Sequence, residues 1–220
     1  MSTDLRLYAL IDPERAGGRD LAELAGLVAR GGATLVQLRD KHGPTQAMVE
    51  AARAIKRSLA PLGVPLLVND RVDVALAAHA DGVHLGQDDM TVEDARLLLG
   101  TNAIIGLSVK TRDQAERAPV EHLDYVCIGG VFATSSKDNP DPPIGLPGLQ
   151  SIFSVMRGRD PDLQIGAIAG IDATNAAAAV AAGIDGVAVI SALSLAADPQ
   201  AAARGLRAIV DAALAKRRPA

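Results

Sequence analysis

Acidic side chains follow two neighbouring apolar runs of this sequence. Asp70 comes soon after residues 66–68, and Asp88 and Asp89 come soon after residues 82–85. Paired carboxylates suit a hard cation such as Mg²⁺, which takes one or two carboxylates and leaves its other positions to water and phosphate oxygens. The common alternative is that these acids cap the helices that follow them. The acids alone leave both interpretations open.

Three cations accompany the acids. Arg39 and Lys41 follow the second apolar run, and Lys137 lies in a long segment, residues 132–147, after the sixth. Arg can grip a phosphate through two parallel hydrogen bonds, while Lys acts as a point charge. Surface ion pairing accounts for any one of these cations but not for their joint placement. Acids around a metal, with Arg and Lys beside them, predict a diphosphate site.

A second phosphate site is predicted after the last two apolar runs. Gly170 follows one of them and Ser191 follows the other. Barrel folds often build a phosphate site here from loop amides and a short helix N-terminus, and Gly permits close backbone approach. The alternative is that Gly170 only makes a tight turn. A monophosphate is therefore expected opposite the diphosphate.

The sequence does not indicate an activated nucleophile. No Ser–His or Cys–His arrangement is evident, and Cys127 lies inside an apolar run, which is typical of a small buried hydrophobic residue. We therefore expect the chemistry to rest on charge stabilisation of a leaving diphosphate.

Eight short apolar runs alternate with longer Ala- and Leu-rich segments, a pattern that predicts parallel strand–helix units. The predicted strands are residues 7–11, 35–38, 66–68, 82–85, 104–107, 125–128, 165–168 and 186–190. Eight units predict an α/β protein with a single (β/α)8 TIM barrel, whose functional residues follow the strands. A doubly wound open sheet is the alternative. One domain is expected over residues 1–220, with short free ends at about 1–5 and 216–220.

Composition excludes several classes of partner. The 220 residues carry a net charge of −4 and only 2% aromatic residues, so we expect no nucleic-acid partner. Residues 176–197 are long enough to cross a bilayer, but they are rich in Ala and are interrupted at 183–186, so no membrane span is expected. A single cysteine fits a cytoplasmic setting. The expected partners are small phosphorylated molecules, and nothing in the sequence opposes a homo-oligomer.

Taken together, the motifs resemble the thiamine phosphate synthase family from about residue 7 to residue 193. The segments that carry the resemblance are 36–41, 69–71, 80–89, 106–108, 131–137 and 167–171. The resemblance implies a transferase that joins a hydroxymethylpyrimidine diphosphate to a thiazole phosphate and releases pyrophosphate with Mg²⁺ present. The pyrimidine ring of the first substrate carries an amino group. It also implies that the carbon–oxygen bond ionises first and that the thiazole nitrogen then captures the pyrimidine cation.

The resemblance further implies a role for each matching residue. Mg²⁺ would be held by Asp70 and Asp89. The residues implied to hold the pyrimidine diphosphate are Gln37, Arg39, Asp40, Lys41, Asn69, Ser108 and Lys137. Those implied around the thiazole phosphate are Thr134, Ser135, Ser136, Gly170, Ile190 and Ser191. Arg39, Ser108 and Lys137 are the implied catalytic residues.

Two positions depart from the family pattern. Ala169 stands where the family usually has the first Gly of a turn, and Gly130 stands where it usually has Pro. We expect Ala169 to be extended, with a negative φ, and Gly170 to allow the turn. Two other functions stay open. One is a thiazole tautomerase-like isomerase, which would lack the diphosphate-binding residues, and the other is a catalytically silent ligand-binding homologue, which Ala169 keeps open.

Overall fold

A computed structural model describes residues 3–134, 136 and 141–217. The described residues form a closed barrel of parallel strands in chain order, in which β8 pairs with β1. The strands are β1 (Leu7–Ile11), β2 (Leu35–Leu38), β3 (Leu66–Asn69), β4 (Gly82–Leu85), β5 (Ile104–Val109), β6 (Tyr125–Ile128), β7 (Gln164–Ile168) and β8 (Gly186–Val189). The predicted (β/α)8 barrel is confirmed, and the open sheet is wrong.

Helices connect the strands around the outside of the barrel. They are α1 (Leu21–Arg30), α2 (Thr45–Leu59), α3 (Val72–Ala78), α4 (Val92–Leu99), α5 (Arg112–Arg117), α6 (Gly145–Arg159), α7 (Ala176–Ala181), α8 (Ser191–Ser194) and α9 (Pro199–Arg217). Short 3-10 turns lie at Pro13–Arg15, Ala60–Leu62 and Val120–His122. Thr91 caps the start of α4, because its hydroxyl accepts a hydrogen bond from the Asp94 amide at 3.1 Å.

The strands are buried on both faces. One apolar cluster lies between the strands and the helices and includes Val83 and Leu85. A second cluster fills the barrel interior and includes Tyr8, Leu67 and Tyr125. Burial on both faces explains why the strands appear in the sequence as nearly continuous apolar runs.

A glycine in β5 makes room for Tyr125, one of two tyrosines in the barrel interior. A Cβ atom on Gly106 would lie 2.0 Å from the Tyr125 ring, so no other residue fits at position 106 while that ring keeps its place. Gly106 and Tyr125 are direct neighbours in the pairing of β5 with β6. The absent side chain thus defines where the Tyr125 hydroxyl lies.

Both ends of the described chain pack against the barrel. Leu5 is 2% exposed and belongs to the interior cluster, and Thr3 is also buried. At the other end, Arg217 donates a hydrogen bond to the Val180 carbonyl at 3.1 Å and lies 3.5 Å from Asp185. The expected free ends are therefore wrong at residues 3–5 and 216–217, because Leu5 packs inside the barrel and α9 continues to Arg217.

The long segment at 176–197 is divided as expected into a helix and a following strand, α7 and β8. α7 begins at Ala176, after a turn in which the Asp172 carboxylate accepts hydrogen bonds from the Thr174 amide and hydroxyl. None of the helices in the described part of the chain combines the length and the hydropathy that a bilayer crossing needs.

Candidate active site

The carboxyl ends of the strands bring the predicted site residues to one rim of the barrel. Gln37 lies in β2, Asn69 ends β3 and Ser108 lies in β5. The predicted residues Ser135 and Lys137 lie outside the described residues. Asp40 accepts hydrogen bonds from the amides of His42 and Gly43, at 3.1 and 2.7 Å, so its carboxylate shapes the loop after β2.

Arg39 is held by a carboxylate to which the sequence assigned no role. Asp12, directly after β1, is 2% exposed, and its Oδ2 contacts Arg39 Nη1. Its other oxygen accepts a hydrogen bond from the Glu14 amide at 2.9 Å and so starts the turn Pro13–Arg15. Because Asp12 is fixed on both sides, it orients the Arg39 guanidinium on the rim.

The two acids predicted to bind metal lie beside Lys41. Asp70 contacts the Lys41 ammonium and lies close enough to Asp89 for the Asp89 carboxyl to influence its pKa. Burial is the largest influence on Asp70 and raises the pKa of its carboxyl; Lys41 lowers that pKa and Asp89 raises it, with a net upward shift. Asp89 also accepts a hydrogen bond from the Gly86 amide at 2.7 Å.

Neither acid caps a helix. Asp70 has φ of +61°, a left-handed conformation that Asp tolerates better than most residues, and the residue at the start of α3 is Arg71. Thr91 caps α4. The capping interpretation is therefore wrong. Within residues 3–134, 136 and 141–217, no group of three or more His, Cys, Asp or Glu side chains is arranged to hold a metal ion. Asp70 and Asp89 are two carboxylates, and Mg²⁺ commonly binds one or two carboxylates together with phosphate oxygens.

Two buried amide atoms near these charges lack partners among the described residues. They are Gln37 Oε1 and Asn69 Nδ2. Gln37 is 1% exposed and Asn69 is 8% exposed. A buried polar atom without a hydrogen bond is costly, and in a native protein it needs an explanation such as a bound ligand. The pair offers one acceptor and one donor.

Below the rim, a chain of hydrogen bonds crosses the barrel interior. The Tyr8 and Tyr125 hydroxyls are 2.8 Å apart, and Gln37 Nε2 donates to Tyr8. His84 Nδ1 lies 2.8 Å from the Tyr125 hydroxyl, and His84 Nε2 lies 2.8 Å from Ser108 Oγ. The chain therefore connects two predicted substrate contacts, Gln37 and Ser108.

Among the residues that the structure describes, those lining the opposite side of the rim are uncharged. A concavity there is lined by Thr134, Ser136, Ile168, Ala169, Gly170, Ile171, Ala188, Val189, Ile190 and Ser191. Ser136 Oγ donates to Ser191 Oγ at 2.9 Å, and the Ser136 amide donates to Thr134 Oγ1 at 3.1 Å. We call this side the neutral half, and the side with Asp12, Arg39, Lys41, Asp70 and Asp89 the charged half.

Ala169 departs from the prediction. Its φ is +95°, whereas a negative φ was expected; Gly170 is left-handed as predicted, with φ of +63°. The reason lies in the loop after β6, where the Phe132 amide donates to the Ala169 carbonyl at 3.0 Å. A Cβ on Gly170 would lie 2.3 Å from the Ala133 carbonyl oxygen, so the two loops leave little freedom at either residue.

A family model described as thiamine monophosphate synthase matches residues 7–193. This chain belongs to the thiamine monophosphate synthase family. The chain is 53% identical, over 98% of both sequences, to the thiamine-phosphate synthase of Agrobacterium fabrum. It is 45% identical to the thiamine-phosphate synthase of Moorella thermoacetica, over 96% of this chain and 98% of that protein.

A solved structure agrees with this family assignment. The thiamine phosphate pyrophosphorylase from Pyrococcus furiosus superimposes with a TM-score of 0.83 and 36% identity, covering 96% of this chain and 98% of the other. The fold of this thiamine monophosphate synthase family member is thus shared along nearly its whole length.

The sequence assigned no role to several residues that contact the predicted site. These are Asp12, Tyr8, His84 and Tyr125 on one side and Asn175, which donates to the Gly170 carbonyl at 2.8 Å, on the other. One signal was available for His84. Side chains alternate along a strand, so His84 shares the interior face with Gly82, while Val83 and Leu85 face the helices.

Proposed function

We propose that this chain is a thiamine phosphate synthase, which joins an aminopyrimidine diphosphate to a thiazole phosphate and releases pyrophosphate. The observation that carries the proposal is the division of the rim into a charged half, suited to a diphosphate, and a neutral half, suited to a monophosphate. The names of relatives 45 to 53% identical over almost the whole chain support the same activity.

In this proposal Asp70 and Asp89 hold Mg²⁺, and the donor set fits that ion because two adjacent carboxylates can bind it beside phosphate oxygens. When bound, the ion would supply positive charge that stabilises the leaving diphosphate. Asp70 would then give up its contact with Lys41, which frees the ammonium for a phosphate oxygen. Arg39, oriented by Asp12, would bind the diphosphate through its guanidinium.

The buried amides would recognise the pyrimidine diphosphate. Gln37 Oε1 is an acceptor that the amino group of the pyrimidine can satisfy, and Asn69 Nδ2 is a donor suited to a phosphate oxygen. Ser108 lies at the end of the hydrogen-bonded chain and would add a hydroxyl donor. With these groups around the diphosphate, the carbon–oxygen bond ionises and the thiazole nitrogen attacks the resulting cation.

The neutral half would hold the phosphate of the thiazole. The hydroxyls of Ser136 and Ser191 face each other across it, and Gly170 allows close approach of the backbone. Ser135 and Lys137, which the resemblance implies in the same reaction, remain part of the proposal. We also propose a cytoplasmic location, because a chain with one buried cysteine suits a reducing compartment.

The test is pyrophosphate release by the purified chain with both substrates and Mg²⁺ present. We expect release that needs both substrates and that a chelator stops. Isomerisation of the thiazole phosphate without pyrophosphate release would instead indicate the tautomerase-like function. Binding of both substrates without either reaction would indicate the silent homologue.

A further inference from the structure

Three interior side chains separate two predicted substrate contacts. From Gln37 the hydrogen bonds run to Tyr8, then to Tyr125, then to His84 and finally to Ser108. Tyr8 and Tyr125 are 117 residues apart in the chain, and the barrel brings their hydroxyls to 2.8 Å. We call Tyr8, Tyr125 and His84 the relay.

Counting donors gives the relay a direction. Gln37 Nε2 can only donate, so the Tyr8 oxygen accepts from it. Among the described residues, the buried Tyr8 hydroxyl has one other partner, the Tyr125 oxygen, so the Tyr8 proton goes there. The Tyr125 proton then goes to His84 Nδ1. A neutral imidazole with an accepting Nδ1 carries its proton on Nε2, which donates to Ser108 Oγ. The Ser108 hydroxyl proton is thereby left for a group on the rim.

Burial and packing keep this arrangement in place. Burial raises the pKa of the Tyr8 phenol and of the Tyr125 phenol, so each keeps its one proton at ordinary pH. The Tyr125 ring fills the volume left by Gly106. It stacks on the His84 ring at 5.5 Å and meets the Tyr8 ring edge-on at 5.7 Å between centroids.

We propose that Tyr8, Tyr125 and His84 are positioning residues that fix together the orientation of the Gln37 amide and that of the Ser108 hydroxyl. The proposal rests on the proposed function, which places the aminopyrimidine at Gln37 and the diphosphate at Ser108. In the direction that the donor count gives, Gln37 presents an acceptor to an amino group and Ser108 presents a donor to an anion. Reversing any one of these bonds reverses the others and presents the wrong group at both ends.

The relay therefore contributes to specificity. A pyrimidine that carries an oxo group in place of the amino group needs a donor, and Gln37 could supply one only by turning its amide over. That turn would leave Tyr8 without its incoming hydrogen bond or reverse the whole chain. We expect an amino pyrimidine diphosphate to bind more tightly than its oxo analogue for this reason.

The direction can be measured without substrate. NMR chemical shifts of the His84 ring nitrogens in the wild-type protein distinguish the two neutral tautomers. We expect a protonated Nε2 and an unprotonated Nδ1. A protonated Nδ1 with an unprotonated Nε2 would overturn the direction, and with it the proposal. Because this experiment needs no turnover, it gives a result even if the chain has no synthase activity.

The contribution to specificity is tested with Tyr125→Phe, which removes only the central hydroxyl. Calorimetry would give the dissociation constants of the amino pyrimidine diphosphate and of its oxo analogue, with Mg²⁺ present. We expect the dissociation constant of the oxo analogue divided by that of the amino compound to fall about 10-fold in the variant, the scale of one lost buried hydrogen bond. A merely structural role would weaken both ligands equally, so an unchanged ratio would overturn the proposal.

Two further variants complete the experiment. Thr34→Val is the matched control, because the Thr34 hydroxyl also hydrogen-bonds within the barrel, to the Leu7 amide and carbonyl, but lies away from the rim. It should leave the ratio unchanged. Tyr8→Phe breaks the relay one step earlier and should lower the ratio as Tyr125→Phe does, which provides a second measurement if Tyr125→Phe does not fold. Normal binding without pyrophosphate release by the wild type would count against the proposed function, not against the relay.

Discussion

The charged and neutral halves of the rim face each other across one barrel, and we assign a phosphate group to each. The charged half brings side chains together in ion pairs, Arg39 with Asp12 and Lys41 with Asp70. The neutral half uses hydroxyls and backbone, with two consecutive left-handed residues at Ala169 and Gly170. One half is built from charge and the other from chain conformation.

The difference matches what happens to each phosphate in the proposed reaction. The diphosphate leaves and gains negative charge at the bond that breaks, and fixed positive groups stabilise a transition state where charge develops. The thiazole phosphate keeps its charge throughout, so backbone amides and hydroxyls can hold it without changing the barrier. The charged half should therefore control turnover, and the neutral half should control binding.

The strongest test of this division concerns the two acids of the charged half. Asp70→Asn or Asp89→Asn should each lower kcat by about 100-fold or more, because each change weakens the stabilisation of the leaving group. Steady-state pyrophosphate release across a range of Mg²⁺ concentrations would measure it. Asp88→Asn is the control, since Asp88 is exposed beside Asp89. Full activity of both acid variants after chelation would show that these acids bind no catalytic metal.

A smaller effect is expected from the carboxylate behind Arg39. Asp12→Asn keeps the hydrogen-bond acceptor but removes the charge that orients the guanidinium, so kcat/KM for the pyrimidine diphosphate should fall about 10-fold. The KM for thiazole phosphate should stay unchanged. Asp73→Asn, in the exposed ion pair with Arg71, serves as the comparison. Equal losses for both substrates would show that Asp12 supports the whole rim.

In the neutral half, Ala169→Gly should stabilise the protein. A left-handed backbone costs a residue with a Cβ roughly 1–2 kcal/mol, and Gly avoids most of that cost. We expect the free energy of unfolding, measured with denaturant, to rise by about 1 kcal/mol. The KM for thiazole phosphate should fall, with kcat unchanged. Ala167→Gly, in β7, should destabilise the protein instead. A loss of stability in Ala169→Gly would contradict the strained conformation.

The smallest effect is expected for a hydroxyl of the neutral half. Ser191→Ala removes the acceptor for Ser136 Oγ and should raise the KM for thiazole phosphate about 3-fold, as for one half-buried neutral hydrogen bond. Initial rates at saturating pyrimidine diphosphate would measure it. A drop in kcat as large as that of the acid variants would remove the distinction between the two halves.

The fold was predictable from the sequence because the strands are short and covered on both sides, so β2, β4 and β6 have the limits that their apolar runs predict. The contact between Asp12 and Arg39 could not be predicted from the sequence, because the two residues are 27 positions apart and only strand pairing brings them together. The φ of Ala169 was missed for a similar reason. A local rule about Cβ atoms predicts a negative value, whereas a hydrogen bond from Phe132 in another loop supports the positive one.

Gly106 and Tyr125 have a consequence for how this sequence can change over generations. A Cβ at position 106 cannot coexist with the Tyr125 ring in its present place, so a larger residue at position 106 requires a change at position 125. A relative with a larger residue at position 106 is expected to have a smaller or displaced side chain at position 125 and so to lack a hydroxyl where Tyr125 meets Tyr8 and His84. The two positions are therefore expected to covary, so that Gly at position 106 is inherited together with Tyr at position 125.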